Sequence, residues 1–322
     1  MLFYVGTYTG MGGPGLCVCS LDHGRLHLLG AAHELDDPIY AILSQDDRTL
    51  FAVGSDPATG EGVAASYAVS GSHLTLLSAQ PTGGRAACHL TLDPQERALY
   101  AANYLSGSVS VFPVRGDRLL PRTQLIEHEG HSVHPLRQEK AHTHQCVFRP
   151  GTRELFVCDL GLDRVVIYDS DPADGRLTPR GAIDTPPGMG PRHLIFDSPD
   201  SFYLVGELDN HILRYVRSGE GYAPTHRACT VPEGAQSALG AVRLRGGHVY
   251  ASNRGFDTIC ELSASLDVLR QIPSGGSFPR DFDFTPDGEL LIANQNGGGV
   301  VCEGGDALPI AGAVSICLPH TL

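Results

Sequence analysis

The feature that most constrains the fold is a short sequence phrase that occurs seven times at nearly even spacing. Each copy starts with large apolar residues, continues with small or β-branched residues and closes on a polar residue or glycine. The copies are Phe3–Gly6, Leu50–Gly54, Leu99–Asn103, Leu155–Asp159, Tyr203–Glu207, Val249–Asn253 and Leu290–Asn294. Taking Gly206 as the closing position of the fifth copy, the intervals between closing residues are 48, 49, 56, 47, 47 and 41 residues. Such a period is typical of a chain built from copies of one supersecondary unit.

Each repeat has room for four short strands. Most phrases follow another apolar segment and a turn such as Arg149-Pro150-Gly151 or Thr285-Pro286-Asp287-Gly288, in which Pro at the second turn position is typical of hairpins. A further run such as Ser108–Phe112 comes after the phrase, and Gly-Arg-Leu or Asp-Arg-Leu often precedes the last strand. Seven four-stranded repeats predict an all-β chain, a seven-bladed β-propeller formed by residues 1–322 as one domain.

The phase of the repeat predicts how the ring closes. The chain begins at the second strand of a repeat, so the first blade lacks its inner strand. We expect the C-terminal strand Ser315–Leu318 to lie beside Phe3–Val5 and to complete that blade. A β-sandwich or two stacked β-domains would not explain seven evenly spaced copies.

Composition restricts the partners and the compartment. The chain has 36 acidic and 23 basic side chains, a formal charge of −13, which disfavours nucleic acid as a partner. No apolar stretch approaches the roughly 20 residues of a membrane-spanning helix, and the N-terminus lacks the features of a signal peptide. We therefore expect no membrane partner and a cytoplasmic location. The nine cysteines include no C-x-x-C pair, which favours reduced, buried thiols over disulfides or a metal site.

Polar residues cluster at predicted strand ends that share one side of the ring. In an antiparallel hairpin, the start of the first strand and the end of the second lie together. The polar segments at these ends are Cys88-His89, His142–His144, Gly190–His193, Pro279–Asp281, Asn103-Tyr104, Asp159, Glu207, Asn253-Arg254 and Asn294-Gln295. Three arginines and two histidines among them predict a positive pocket for a small anionic molecule. For Asn103, Asp159 and Asn294, the alternative is that the side chain only holds a strand-end turn.

A second cluster, His128-x-x-His131-x-x-His134, raises the possibility of a metal site. It lies in the longest interval between repeats, near Gly130 and Pro135, which favours an exposed loop. The sequence contains no G-x-S-x-G, GxxxxGK[ST] or H-E-x-x-H motif of serine hydrolases, nucleotide-binding proteins or zinc proteases. We therefore expect neither a metal nor a cofactor.

Several of these segments resemble the lactonase family of seven-bladed propellers, which includes the propeller-type 6-phosphogluconolactonases and the fungal carboxymuconate cycloisomerase. The matching stretches are Tyr4–Tyr8, Ala102–Val109, Gln138–His144, Gly190–His193, Gly206–Leu208, Ser252–Gly255 and Phe278–Phe282. The resemblance implies a metal-free hydrolase that opens 6-phosphoglucono-1,5-lactone in the pentose phosphate pathway. It also implies a site formed by His144, Arg192, Glu207 and Arg254. Gly206 stands where the family usually has Asn.

Roles for these residues follow from what lactone hydrolysis needs. Glu207 or His144 would act as base and acid, with the carboxylate raising the pKa of the imidazole. Arg192 would stabilise the oxyanion. The predicted substrate-binding residues are Arg254 and Arg280, which would hold the phosphate, together with His193, Asn103 and Asn253.

Two other functions stay open at this point. The same positive pocket suits an enzyme that lactonises or isomerises a carboxymuconate-like dicarboxylate. A non-catalytic propeller that binds proteins would instead have no acid/base pair and an exposed aromatic surface; 11 Phe, 11 Tyr and no Trp give little support to it.

Overall fold

The computed structural model describes residues 1–320 and consists of seven antiparallel sheets arranged as the blades of a propeller. The strands of blades 1 to 3 are β1 (Leu2–Thr7), β2 (Leu16–Asp22), β3 (Arg25–Ala32), β4 (Asp36–Leu43), β5 (Thr49–Ser55), β6 (Gly62–Ser70), β7 (His73–Pro81), β8 (Ala87–Leu92), β9 (Ala98–Asn103), β10 (Ser108–Arg115), β11 (Arg118–Leu119) and β12 (Gln124–Glu127). Blade 1 comprises β1–β3 and the last strand, blade 2 comprises β4–β7, and blade 3 comprises β8–β12.

Blades 4 to 7 follow in chain order. Their strands are β13 (Thr143–Phe148), β14 (Glu154–Asp159), β15 (Arg164–Ser170), β16 (Leu177–Asp184), β17 (Pro191–Ser198), β18 (Ser201–Gly206), β19 (His211–Ser218), β20 (Gly221–Cys229), β21 (Ala238–Arg245), β22 (His248–Arg254), β23 (Thr258–Leu262), β24 (Val268–Pro273), β25 (Ser277–Phe284), β26 (Leu290–Gly297), β27 (Gly299–Cys302) and β28 (Ala307–Leu308). The last strand, β29 (Ala313–Cys317), belongs to blade 1.

The predicted all-β, seven-bladed architecture with four antiparallel strands per blade is confirmed. Blade 3 differs in detail, because two short strands, β11 and β12, both pair with β10 at its outer edge. The only helical segments among residues 1–320 are single 3-10 turns at Thr9–Met11 and Leu160–Leu162. In this part of the chain, none of the helical segments is long and apolar enough to cross a membrane.

The repeated phrase forms the second strand of each blade. Strands β9 and β18 are buried along their whole length, and β14 is buried from its second residue onward. A second strand is covered on both faces by the neighbouring blades, so it reads as a continuous apolar run rather than an alternating one. The contact between blades 4 and 5 illustrates this, since Phe156 and Val165 pack with Leu204 and Tyr215 in one apolar cluster.

The ring closes through the predicted pairing of the terminal strands, which is confirmed. Strand β29 lies antiparallel to β1, with Val5 opposite Ile316 and Gly6 opposite Ser315. The contact is close, because a Cβ on Gly6 would lie 2.4 Å from Ser315 Oγ and 2.5 Å from the Pro38 carbonyl oxygen. The predicted closing segment extends to Leu318, whereas the strand ends at Cys317.

All nine cysteines lie in the described part of the chain, where they form no disulfide with one another. Eight of them are buried, and only Cys229 is exposed. Their burial agrees with the interpretation that they pack as small apolar side chains.

Deleting residues 315–322 is expected to destabilise the ring, although residues 321 and 322 lie outside the part that the structure describes. The deletion removes the buried Ile316 side chain and most of the inner partner of β1, leaving only the pairing of Thr7 with Ala313. Because a buried Ile contributes about 1.5–3 kcal/mol and an unpaired strand edge adds to the loss, the free energy of unfolding should fall by about 3 kcal/mol or more. Urea unfolding measures this change. Ile316→Ala, which keeps the strand, should lose less, and a truncated chain as stable as the full one would contradict the closure.

Candidate active site at one mouth of the ring

One mouth of the ring holds a cavity of about 310 Å³ to which all seven blades or their connecting loops contribute. The lining residues are Tyr8, Ile39, Ala86, Cys88, Tyr104, Arg137, His144, Glu207, Arg254 and Arg280. As hairpin geometry predicts, starts of inner strands and ends of second strands meet here. The structure therefore brings together four of the predicted site residues: His144, Glu207, Arg254 and Arg280.

Glu207 lies at the centre of the charged groups and is only 3% exposed. Its Oε2 atom forms ion pairs with Arg192 Nε at 2.9 Å and Arg254 Nη2 at 2.7 Å, and its Oε1 atom accepts a hydrogen bond from Arg137 Nη2. Arg192 Nε makes no aligned hydrogen bond despite its distance, so its contact is electrostatic. Burial alone would raise the pKa of Glu207, but the three arginines outweigh it and hold that pKa well below its usual range.

The arginines leave the mouth with surplus positive charge. Four of them, Arg137, Arg192, Arg254 and Arg280, stand against one carboxylate. Burial, followed by repulsion from Arg254 and Arg280, lowers the pKa of Arg192 to about 9. This concentration of positive charge in an acidic protein favours an anionic ligand.

Arg254 and Arg280 differ in how fully their guanidinium groups are engaged. Arg254 donates from Nε to the Ala238 carbonyl oxygen at 3.2 Å and from Nη2 to the Leu239 carbonyl oxygen at 2.7 Å, besides its ion pair with Glu207. Arg280 lies over the Tyr8 ring at 5.4 Å and makes a weak 3.4 Å contact with Gln295 Oε1. No ion pair within residues 1–320 joins it to a carboxylate, so its charge is available to a ligand.

His144 is buried, and its Nδ1 atom has no hydrogen-bond partner in the protein. Burial, together with the charge of Arg192, lowers the pKa of His144 well below its ordinary value and outweighs the opposing effect of Glu207. Glu207 acts on this pKa in the predicted direction, but the prediction of a raised pKa is wrong because the net shift is downward. At neutral pH the imidazole is therefore uncharged, and the His144 side chain lines the cavity.

Arg192 and His193 lie behind the cavity rather than in its lining. The His193 ring contacts the His144 ring edge-on at a centroid distance of 5.2 Å and the His89 ring at 5.5 Å. His89 in turn stacks on Tyr40 at 4.2 Å and lines a separate cavity of about 360 Å³ on the other side of these rings. We call His89, His144 and His193 the histidine septum, because His144 lines one cavity, His89 lines the other and the His193 ring contacts both.

The two predicted asparagines are buried away from the cavity lining. Asn103 donates from Nδ2 to Ser108 Oγ at 3.1 Å and Ser110 Oγ at 2.9 Å. Asn253 donates to Thr258 Oγ1 at 3.0 Å and accepts from Thr230 Oγ1 at 2.7 Å. These bonds tie neighbouring strands and loops, which is the structural alternative considered for such residues. Asp159 acts similarly, because its Oδ1 accepts from the backbone N–H groups of Gly161 and Leu162 in the adjoining turn and from that of His142, just before β13.

Arg137 is the charged residue that the sequence reasoning missed. It lies in the loop between β12 and β13, immediately before the Gln138–His144 stretch, and reaches Glu207, 70 positions further along the chain. The available signal was the longest interval between repeats, since its additional residues form the loop that returns over the mouth. Tyr104, which accepts a hydrogen bond from Arg137 Nη2 at 3.1 Å, belongs to a strand end that the sequence had placed at this mouth.

The histidines of the 128–134 segment are less exposed than the sequence predicts. The His128 side chain is 4% exposed and contacts Asp159 Oδ2 through Nδ1 at 2.6 Å and the Tyr168 hydroxyl through Nε2 at 2.8 Å. His134 Nδ1 accepts from the Arg137 backbone N–H at 3.2 Å, while His131 is exposed. Across residues 1–320, no three His, Cys, Asp or Glu side chains are grouped so that they could hold a metal ion.

The histidine septum predicts a loss of stability in mild acid. Burial, followed by Arg243 and Arg192, lowers the pKa of His89 to about 3, and the pKa values of His144 and His193 are also lowered. Below pH 6.5 the unfolded chain takes up protons that the folded chain cannot, so the free energy of unfolding falls by about 1.4 kcal/mol per histidine and pH unit. The stability that the three uncharged histidines contribute is fully present above pH 6.5 and is lost as the pH falls towards 3.

Urea unfolding at pH 7, 6 and 5 tests this pH dependence. His89→Phe keeps the ring stacked on Tyr40 but removes one titrating group, so its stability should fall less steeply below pH 6.5 than that of the unchanged protein. Parallel pH profiles for the two proteins would show that His89 is protonated as readily in the folded state as in the unfolded state.

Comparisons with known proteins agree with this architecture. A family model described as "Lactonase, 7-bladed beta-propeller" matches residues 2–302. The 6-phosphogluconolactonase of Bacillus subtilis is 32% identical over 316 residues, which cover 92% of this chain and 89% of that relative. The crystal structure of a Lactobacillus plantarum protein has a TM-score of 0.89 at 27% identity, and the periplasmic gluconolactonase of Pseudomonas aeruginosa has a TM-score of 0.88 at 30% identity, each match covering 98% of both chains. With its sequence matched from the first blade to the last, the chain belongs to the seven-bladed β-propeller lactonase family.

Proposed function

We propose that this protein hydrolyses 6-phosphoglucono-1,5-lactone to 6-phosphogluconate, as part of the pentose phosphate pathway in the cytoplasm. The observation that carries the proposal is the surplus of arginines around Glu207 in a cavity of about 310 Å³. A neutral lactone would not need that surplus, whereas a phosphate monoester carries up to two negative charges. The 6-phosphogluconolactonase named among the relatives also supports this substrate. The pathway and the compartment are inferences from the sequence.

The reaction requires three catalytic functions from the site. Water adds to the lactone carbonyl carbon and loses a proton, the carbonyl oxygen becomes negatively charged, and the bond from that carbon to the ring oxygen then breaks. The ring oxygen takes up a proton and becomes a hydroxyl, while the new acid ionises. A base, an oxyanion partner and a proton donor are therefore needed.

His144 is the base and proton donor that we propose. It lines the cavity, and it is uncharged at neutral pH. The imidazole takes the proton from the attacking water and returns it to the ring oxygen, so the histidine ends the cycle unchanged. Glu207 is less suited to this task, because both of its oxygens are engaged by arginines and its pKa is strongly lowered.

Arg254 is the residue that we propose as partner of the oxyanion. It lines the cavity, and its Nη1 is not among the nitrogens that hold Glu207 or the backbone. A donor of this kind contributes about 3–4 kcal/mol to the stability of the transition state. Arg192 lies behind Glu207 and acts through its charge rather than by direct contact with the substrate. The proposed mechanism uses side chains of the protein alone.

Arg280→Ala tests the substrate. Because Arg280 lines the cavity and forms no ion pair with a carboxylate in the described part of the chain, we expect it to bind the phosphate. Its removal should raise KM for 6-phosphoglucono-1,5-lactone by about 10-fold or more but change KM for glucono-1,5-lactone by less than about 3-fold. Initial rates above spontaneous hydrolysis measure both values. Equal effects on the two lactones would exclude a phosphate contact, and turnover of muconolactone alone would favour the dicarboxylate alternative.

His144→Phe and Glu207→Gln test the division of roles. Phenylalanine fills the imidazole volume without a nitrogen, so kcat should fall by about 100-fold or more with little change in Tm. Glutamine removes the carboxylate that faces three arginines, and breaking such a buried network costs about 3–5 kcal/mol, so Tm should fall clearly. A Glu207→Gln protein that keeps its Tm but loses kcat, together with an active His144→Phe protein, would make Glu207 the base.

A further inference from the structure

We propose that Arg137 is a movable anion-binding arm that leaves Glu207 and binds the phosphate group when the ligand enters the cavity. The inference rests on the function proposed above and adds to it a second residue, besides Arg280, that distinguishes phosphorylated from unphosphorylated ligands.

Arg137 is the accessible member of the arginine cluster around Glu207. Its side chain is 40% exposed, whereas those of Arg192 and Arg254 are 2% and 6% exposed. It comes from a loop, while the other two come from strands β17 and β22. A half-exposed arginine can change partners at little cost, because water solvates it during the movement.

The backbone beneath Arg137 is fixed, so the movement involves the side chain alone. Gln138 is completely buried and donates from Nε2 to the Leu160 carbonyl oxygen at 2.9 Å. The Gln138 backbone N–H donates to the His134 carbonyl oxygen at 2.9 Å, and the Arg137 N–H donates to His134 Nδ1 at 3.2 Å. These bonds place the base of the arm at the rim of the cavity.

Glu207 does not depend on Arg137 for compensation of its charge. The other carboxylate oxygen, Oε2, already faces Arg192 and Arg254, which supply two positive charges against one negative charge. When Arg137 departs, the remaining cluster is therefore not left with an uncompensated negative charge. The other contact of the Arg137 side chain is with Tyr104, whose hydroxyl accepts a hydrogen bond from Arg137 Nη2 at 3.1 Å. Tyr104 also lines the cavity.

A phosphate group competes well for this arm. A guanidinium binds phosphate through two parallel charge-assisted hydrogen bonds, and a dianion attracts it more strongly than a single carboxylate oxygen does. Arg280, which enters from blade 7, provides a second positive charge in the same cavity. A ligand without phosphate offers Arg137 no such partner, so the arm stays on Glu207.

Calorimetric binding of 6-phosphogluconate and gluconate to the full chain separates this role from a structural one. The variants are Arg137→Gln, Arg137→Lys and, as a matched control, Arg164→Gln, which removes a similarly exposed arginine paired with Asp184 outside the cavity. Arg137→Gln should weaken 6-phosphogluconate by about 10-fold or more and gluconate by less than about 3-fold, so the preference for phosphate collapses. Arg137→Lys should keep part of the preference, and Arg164→Gln should keep all of it.

Two results would overturn the inference. Equal weakening of both ligands would mean that Arg137 acts on the shared sugar acid or only holds Glu207, and unchanged binding of 6-phosphogluconate would mean that phosphate lies elsewhere. Failure of the proposed function looks different. In that case the unchanged protein hydrolyses no lactone, yet a preference for 6-phosphogluconate that Arg137→Gln abolishes would still support the anion-binding arm.

Discussion

Glu207 is a single buried negative charge on which three arginines from different parts of the ring converge. The arginines would repel one another without it: burial, and then repulsion from Arg254 and Arg280, already lowers the pKa of Arg192. The carboxylate therefore holds together a cluster that would otherwise favour separation, and it couples blades 5 and 6 to the loop that precedes blade 4. The rest of the site is arranged around this cluster. His144 stays neutral because it is buried, and the charge of Arg192 adds to this effect. Arg280 supplies a charge that forms no ion pair with a carboxylate of residues 1–320.

The fold was predictable because one physical requirement recurs seven times. A second strand that is covered on both faces needs a continuous apolar run, and such runs as Ala98–Asn103 and Ser201–Gly206 are visible in the sequence. Ring closure was predictable for a related reason, since the first repeat begins one strand late. The two short strands at the outer edge of blade 3 were not predictable, because outer strands are exposed and their pattern is weaker.

The site was predictable only to the level of which strand ends meet. Adjacent residues on an inner strand face different surroundings, so Cys88 lines the mouth while His89 lines the opposite cavity. Hairpin geometry alone could not separate such neighbours, which is why Arg192 and His193 were expected in the pocket with His144. Arg137 was not predicted as a site residue, because its contact with Glu207 joins a long loop to another blade. Burial and Arg192 lower the pKa of His144, whereas Glu207 raises it. The net direction depends on interatomic distances, which the sequence does not provide.

The position of the histidine septum has a consequence for how a ligand enters and leaves the ring. These buried rings join residues that line two cavities with no lining residue in common, so we expect a molecule bound at the mouth to enter and leave by the same opening. For the proposed reaction, the departing molecule carries one more negative charge than the arriving one, since a neutral ester has become a carboxylate. The arginines therefore hold the product more strongly than the substrate, and the protein's overall charge of −13 repels the product only once it is outside. Release of the product from the mouth, rather than entry of the substrate, is the electrostatically unfavourable step of the cycle. Dissolved salt makes this release more favourable because it screens the charges of the arginines.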